Sequence, residues 1–204
     1  LDYEIELGLV LKKNIDKPVS VSESDLINYV AGFLICNDVS ARDVQMGAPA
    51  MQWYQGKSYR SFCPAGPLLY ILDTNEIDQL NNLELRLWVN GQLRQNAATS
   101  QLIHKPHTTL EHASRFSNMK AGDCLLTGTP GGVAFEMNVK TGLSLLLNMS
   151  KDRKRKAKFT KAQINNVHYL QNGDVVETEI ISHDGRIKLG RQRNVVVSES
   201  KSKC

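Results

Sequence analysis

The stretch Leu1-Asp2-Tyr3-Glu4-Ile5-Glu6-Leu7-Gly8-Leu9-Val10 alternates with a period of two. In an extended chain Tyr3, Ile5, Leu7 and Leu9 fall on one face, and Asp2, Glu4, Glu6 and Gly8 fall on the other. Taken alone, this reads as a half-buried strand over 2–11 with a wet acidic side, because carboxylates are mostly exposed. The competing reading is that Glu4 and Glu6 point into one pocket and share a cation. The rest of the chain bears on that choice.

The 204 residues, 41% hydrophobic and 23% charged, fit one globular domain over 1–204 with a substantial core. No apolar run approaches the roughly 18–20 residues that span a bilayer, so no membrane is expected. No basic-then-apolar leader is present. The chain starts without Met inside an apparent strand, which suggests a fragment, a processed form or part of a longer protein. The four cysteines, Cys36, Cys63, Cys124 and Cys204, form no C-x-x-C pair. Cys36 and Cys124 sit in apolar stretches and read as buried free thiols. A reducing, cytoplasmic setting is expected from them.

The net charge of +4 is local. Residues 151–161 hold seven Lys or Arg and one Asp, leaving the remainder at about −2. A patch of this kind serves nucleic acid or another anion in some proteins. No nucleic-acid-binding motif accompanies it and Phe159 is its only aromatic, so a solvated basic insertion is favoured over a nucleic-acid site.

Along the chain, 21–30 reads as a helix start with Ser22 or Ser24 as N-cap. Residues 31–40 read as a short buried strand entering a polar turn, and 41–47 as one helical turn ending at Gly47. Residues 83–99 form the clearest hairpin, with Asn90-Gly91 suited to a type I′ turn. Residues 107–123 read as a helix, with a Thr108–Glu111 capping box and a stop at Ala121-Gly122. Residues 124–135 read as a strand leading into a glycine-rich loop. Two strands, over 173–182 and 185–197, close the chain.

Polar groups gather at the ends of these strands. Glu4 and Glu6 form one group; Asp38, Arg42, Asp43 and Gln45 a second; Lys57 and Ser61 a third; Thr127 and Thr129 a fourth. Three carboxylates with no paired His or Cys are hard oxygen ligands, suited to Mg2+, Mn2+ or Ca2+ rather than zinc or copper. Each group also has a plain structural reading. Asp38 caps a turn, Arg42 pairs with Asp43 at the surface, Lys57 is exposed, and 127–132 is a turn. The last is not a phosphate loop, because no Gly-Lys-Ser/Thr follows its glycines.

The ordered set DYEIEL, NDVSARD, a Gly-Lys pair before FCPAGP, the VNG hairpin and GDCLLTGTPGGV resembles the catalytic domain of the fumarylacetoacetate hydrolase family. The resemblance runs from Asp2 to about Val197. It implies an α+β fold of rolled, layered, β-rich mixed sheets with few helices, and a homodimer. It implies that Glu4, Glu6 and Asp38 bind Mg2+ or Mn2+, with Ca2+ a further hard cation, and that Lys57 acts beside the metal and the substrate. It places Arg42 and Gln45 on the substrate or the pocket wall, Ser61 near the metal, and Thr129 on the substrate carboxylate. The implied substrate is a small 2-oxo acid, chelated by a Lewis-acidic ion that stabilises an enolate. Carbon–carbon hydrolysis of an acylpyruvate-like diketone is the leading expectation; decarboxylation, hydration and isomerisation are alternatives. Three features depart from the pattern. Arg60 stands where many members carry Asp, the segment after 127–133 is longer, and no lid with a His–Glu pair is matched.

Overall fold

In the computed structural model, which describes residues 1–47, 51–136, 142–143, 147 and 152–198, the strands are β1 (Ile5–Leu11), β2 (Val30–Asn37), β3 (Leu83–Val89), β4 (Gln92–Ala98), β5 (Cys124–Leu126), β6 (Val175–Ser182) and β7 (Lys188–Val195). The α-helices among the described residues include α1 (Arg42–Gly47), α2 (Trp53–Lys57), α3 (Pro106–Ser114) and α4 (Asp152–Gln163). One sheet has the order β2-β1-β5 and the other β4-β3-β6-β7, and every described pairing is antiparallel. The expected α+β class therefore holds.

One shared core joins the sheets. Tyr3, Ile5, Leu7 and Leu9 pack with Leu83, Leu85, Leu87, Val89, Val176, Ile180 and Leu189. Each fully buried aliphatic side chain of this kind stabilises by about 1.5–3 kcal/mol. The wet side expected of the first strand is absent. Asp2 is 0%, Glu4 7% and Glu6 4% exposed, so the acidic face is buried as deeply as the apolar one.

The hairpin forms as its sequence requires, with Asn90 at φ 49° and Gly91 at φ 76°. Its register slips after Leu87, which leaves Arg94 as an extra residue in β4. This bulge turns Gln95 inward, where it is fully buried. Gly132 packs on the bulge. A Cβ there would lie 2.2 Å from the Arg94 carbonyl oxygen, and its φ of 102° also favours glycine. Gly132→Ala is expected to lower stability by about 2 kcal/mol or more, read from urea denaturation. An unchanged midpoint would contradict this close approach.

Two helix readings need correction. Leu26–Asn28 is a single 3-10 turn with Asp25 at its N-cap, not a helix capped by Ser22 or Ser24. The Ser22 hydroxyl instead accepts from the Asp25 N–H at 3.2 Å, closing a turn that competes with the helix. Helix α3 starts earlier than expected, with Lys105 as N-cap and Pro106 in its first turn. Thr108 lies inside it, and Glu111 accepts from the Val21 N–H and Arg115 rather than closing a capping box. The helix ends at Ser114, well before Gly122.

The basic run is also more than a solvated insertion. It forms α4, which docks on α1 through Arg155 and Phe159, each 2% exposed. Arg155 Nε donates to the Met46 carbonyl, and Phe159 packs on Met46 and Phe135. The side chains of 151–153 lie outside the described residues. No described helix is long and apolar enough to cross a membrane.

Candidate active site

The extended alternation that runs from Glu4 into β1 brings Glu4 and Glu6 to one face, and β2 delivers Asp38 beside them just beyond its end. The Asp38 N–H donates to the Glu4 carbonyl at 2.8 Å, and the Glu4 N–H donates to Asn37 Oδ1 at 2.9 Å. One carboxylate oxygen from each of Glu4, Glu6 and Asp38 lies within 4.8 Å of the others. The structural readings of Asp38 and Lys57 give way at this point. Lys57, half-buried at the end of α2, donates to Glu4 Oε2 at 2.7 Å and to Asp38 Oδ2 at 2.5 Å.

Arg42 does not pair with Asp43. It is buried, donates from Nε to Asp2 Oδ2 and from Nη1 to Gln45 Oε1, both at 2.8 Å, and also bonds Glu4 through Nη2. Asp43 faces Lys156 of α4 at 3.0 Å. Asp2, a residue the sequence reading leaves without a role, also accepts the N–H groups of Ala134 and Phe135. It therefore ties the glycine-rich loop to Arg42. Phe135 in turn lies 5.5 Å under the guanidinium and 5.9 Å from Phe159. The basic helix thus buttresses the arginine that holds Glu4.

The loop at 127–132 is part of the site. The Gly128 N–H donates to Glu6 Oε2 at 2.5 Å. The Thr129 hydroxyl donates to the Ile5 carbonyl at 3.0 Å and accepts from Gln95 Nε2 at 2.8 Å. Gln95, also unmarked by the sequence reading, accepts the Ile5 N–H through Oε1 at 3.0 Å. Only the bulge in β4 aims it here, and no local pattern announces that. A cavity of about 770 Å³ opens beside Gly128 and Thr129, with Ala97, Ile103 and His104 in its wall. No described hydrogen bond joins Ser61 to the carboxylates. Ser61 is exposed at φ 67° and lines a separate groove with Val39, Tyr59 and Arg60. The Gln45 amide nitrogen is buried with no described hydrogen-bond partner.

The electrostatics fit a divalent cation. Asp2, Glu4, Glu6 and Asp38 face Arg42 and Lys57, so two formal negative charges are left over. Burial pushes the Glu6 carboxyl up to about 8; the Gly128 N–H opposes this, and Asp38 and Glu4 reinforce it. Without a cation, a proton takes the place of charge at Glu6. Burial alone would lower Lys57, but its bonds to Asp38 and Glu4 outweigh that and hold the ammonium above its ordinary value. Arg42 shows the same balance, with burial outweighed by Asp2 and Glu4. The donors are all hard carboxylates, as Mg2+ and Mn2+ prefer.

The family model described as fumarylacetoacetate (FAA) hydrolase C-terminal matches residues 1–197. The chain belongs to the fumarylacetoacetate hydrolase family. Over 133 residues, 65% of this chain, it is 41% identical to the mitochondrial oxaloacetate tautomerase fahd2 of Xenopus laevis and 38% identical to the mitochondrial oxaloacetate tautomerase FAHD2A of Homo sapiens. The matched part is 40% and 41% of those proteins, so the chain spans about two fifths of the curated relatives it matches. Among solved structures of the family, a probable 2-hydroxyhepta-2,4-diene-1,7-dioate isomerase from Mycobacterium abscessus is 31% identical with a TM-score of 0.72. That match covers 98% of this chain and 61% of the other. The fumarylacetoacetate hydrolase of Exiguobacterium antarcticum is 30% identical with a TM-score of 0.70, covering 98% and 57%.

Proposed function

We propose that this fumarylacetoacetate hydrolase family chain forms the divalent-metal site of an enzyme that interconverts the keto and enol forms of a small 2-oxo diacid of the oxaloacetate type. The observation that carries this reading is the trio Glu4, Glu6 and Asp38, with the protonated Lys57 bonded to two of its members. Glu4, Glu6 and Asp38 would hold Mg2+ or Mn2+. When bound, that ion supplies Lewis acidity toward the oxygens of a 2-oxo acid.

Lys57 contributes a proton and a positive charge next to those oxygens. Its ammonium, stabilised by Asp38 and Glu4, donates a proton to the keto oxygen as the enol forms, while the proton leaving the adjacent carbon passes to solvent water, from which the lysine regains its own. Arg42 and Asp2 fix Glu4, and the Gly128 N–H fixes Glu6. Thr129 acts through its bond to the Ile5 carbonyl, holding the loop against β1 at the cavity mouth.

Carbon–carbon hydrolysis, the leading expectation from sequence, also needs a base for the attacking water. The relatives named oxaloacetate tautomerase favour keto–enol interconversion, in which a proton leaves carbon and one is added to oxygen with no carbon–carbon bond broken. The free thiols suit a reducing compartment, and those relatives are named mitochondrial.

The test follows the ultraviolet absorbance of enol-oxaloacetate with Mn2+ present. Acceleration over buffer is expected, and Lys57→Met should cut it by about 10²-fold or more while the Mn2+-induced thermal shift remains. No acceleration by the Mn2+-bound protein removes the tautomerase reading. Cleavage of an acylpyruvate in its place restores the hydrolase.

A further inference from the structure

The carboxylate trio and Lys57 account for one end of a 2-oxo diacid. The cavity beside them offers a place for the other end. Leu126 on β5 pairs with Gly8, two residues along β1 from Glu6, so it stands on the sheet face of Glu6. From Leu126 the chain runs on through Thr127, Gly128 and Thr129, and all four line the cavity of about 770 Å³. Gly128, whose N–H fixes Glu6, thus belongs to the cavity wall as well as to the carboxylate site.

Another part of the wall comes from the segment that joins β4 to α3. β4 ends at Ala98, a 3-10 turn follows over Thr99–Gln101, and His104 stands just before α3. This segment is held in place. The Thr99 hydroxyl accepts the Leu83 N–H at 3.0 Å and donates to the Leu83 carbonyl at 3.2 Å, which ties the turn to β3. Lys105 Nζ donates to the Ser100 carbonyl at 2.8 Å and to the Thr99 carbonyl at 3.3 Å, so its charge serves the turn. Gln95 of β4 bonds Thr129 and the Pro130 carbonyl, which fixes the strand against the glycine-rich loop.

Much of the wall is apolar, with Leu85, Ala97, Ala98 and Leu102 in it. A carboxylate entering such surroundings needs a donor or a cation to meet it. Among the described residues of the wall, His104 is the one titratable side chain, and it is exposed. The volume lies in the range that encloses small-molecule ligands, so diacids longer than a four-carbon acid also fit.

On the 2-oxo acid reading of the trio given above, we propose that His104 is a specificity-determining residue for the second carboxylate of the substrate. Its imidazole N–H donates to the far carboxylate of a 2-oxo diacid whose 2-oxo end lies at Glu4, Glu6, Asp38 and Lys57. The site thereby selects dicarboxylic over monocarboxylic 2-oxo acids.

The experiment titrates Mn2+-saturated protein with 2-oxoglutarate, 2-oxopentanoate and oxalate in a calorimeter. The first two share a five-carbon skeleton and differ by one carboxylate; oxalate reads the trio alone. 2-Oxoglutarate is expected to bind about tenfold more tightly than 2-oxopentanoate, as one charge-assisted hydrogen bond would give. His104→Phe should remove that preference and leave 2-oxopentanoate and oxalate unchanged, while His104→Arg should keep it. His104 is exposed, so both variants are expected to fold. Equal affinities in the parent overturn the proposal, as does a preference that survives His104→Phe. In either case oxalate binding leaves the 2-oxo acid reading standing. Failure of oxalate to bind the parent removes that reading and the role of His104 with it.

Discussion

Glu6→Gln is expected to abolish the thermal response to Mn2+ and, unusually for a site variant, to stabilise the metal-free protein at pH 8. Glu6 is 4% exposed, and its carboxyl is pushed up to about 8 by burial, against the Gly128 N–H, with Asp38 and Glu4 adding to the push. In the unfolded chain the same group titrates near 4.5. Between those values the folded state binds one more proton than the unfolded state. Stability then falls as pH rises, by about 1.4 kcal/mol per pH unit. The penalty is absent below about 4.5 and complete above about 8. Glutamine keeps the acceptor for Gly128, removes the titration and removes the anionic ligand. Urea midpoints at pH 5.5 and 8, with and without Mn2+, decide the matter. A metal-free parent that gains stability between those pH values would sink the account, as would a Glu6→Gln variant that still responds to Mn2+.

Asp2→Asn is expected to be a heavily damaging change near the site, costing about 3–5 kcal/mol in folding stability. Asp2 is fully buried and accepts from Tyr3, Ala134, Phe135 and Arg42. An amide preserves the shape but leaves the buried guanidinium with Glu4 as its one remaining carboxylate partner. Arg42→Met should cost a similar amount, and the double variant less than the sum, since it removes both buried charges together. Additive losses in denaturant titrations would show that the two residues do not act as a pair.

The sequence made some of this legible for physical reasons. The period-two pattern of 1–10 and the Asn90-Gly91 turn are local signals, and both strands and hairpin stand where those signals put them. Glu4, Glu6, Asp38 and Lys57, drawn from three separate segments, do meet. The resemblance supplied that meeting; no local pattern states it. What stayed hidden depends on contacts distant in the chain. Asp2 looked like a solvent-side residue because nothing near it reveals that Ala134 and Phe135 return to it. Gln95 looked like an ordinary strand glutamine because its inward aim depends on the extra Arg94 in β4. The 107–123 segment misled because a Thr-x-x-Glu motif inside a helix has the same spelling as one at its start. Cys124 looked buried from its apolar neighbours, yet it lies on an edge strand and is exposed.

Gln95 has one further consequence. Its side chain is fully buried and spans the two sheets, accepting from Ile5 on β1 and donating to Thr129 and to the Pro130 carbonyl. The strand that carries the carboxylates therefore cannot open while the hairpin strand stays in place without stranding an amide in the core. The two sheets should fray as one cooperative unit. Occupancy of the carboxylate trio would then slow amide hydrogen exchange in β4, a strand that supplies none of the three carboxylates.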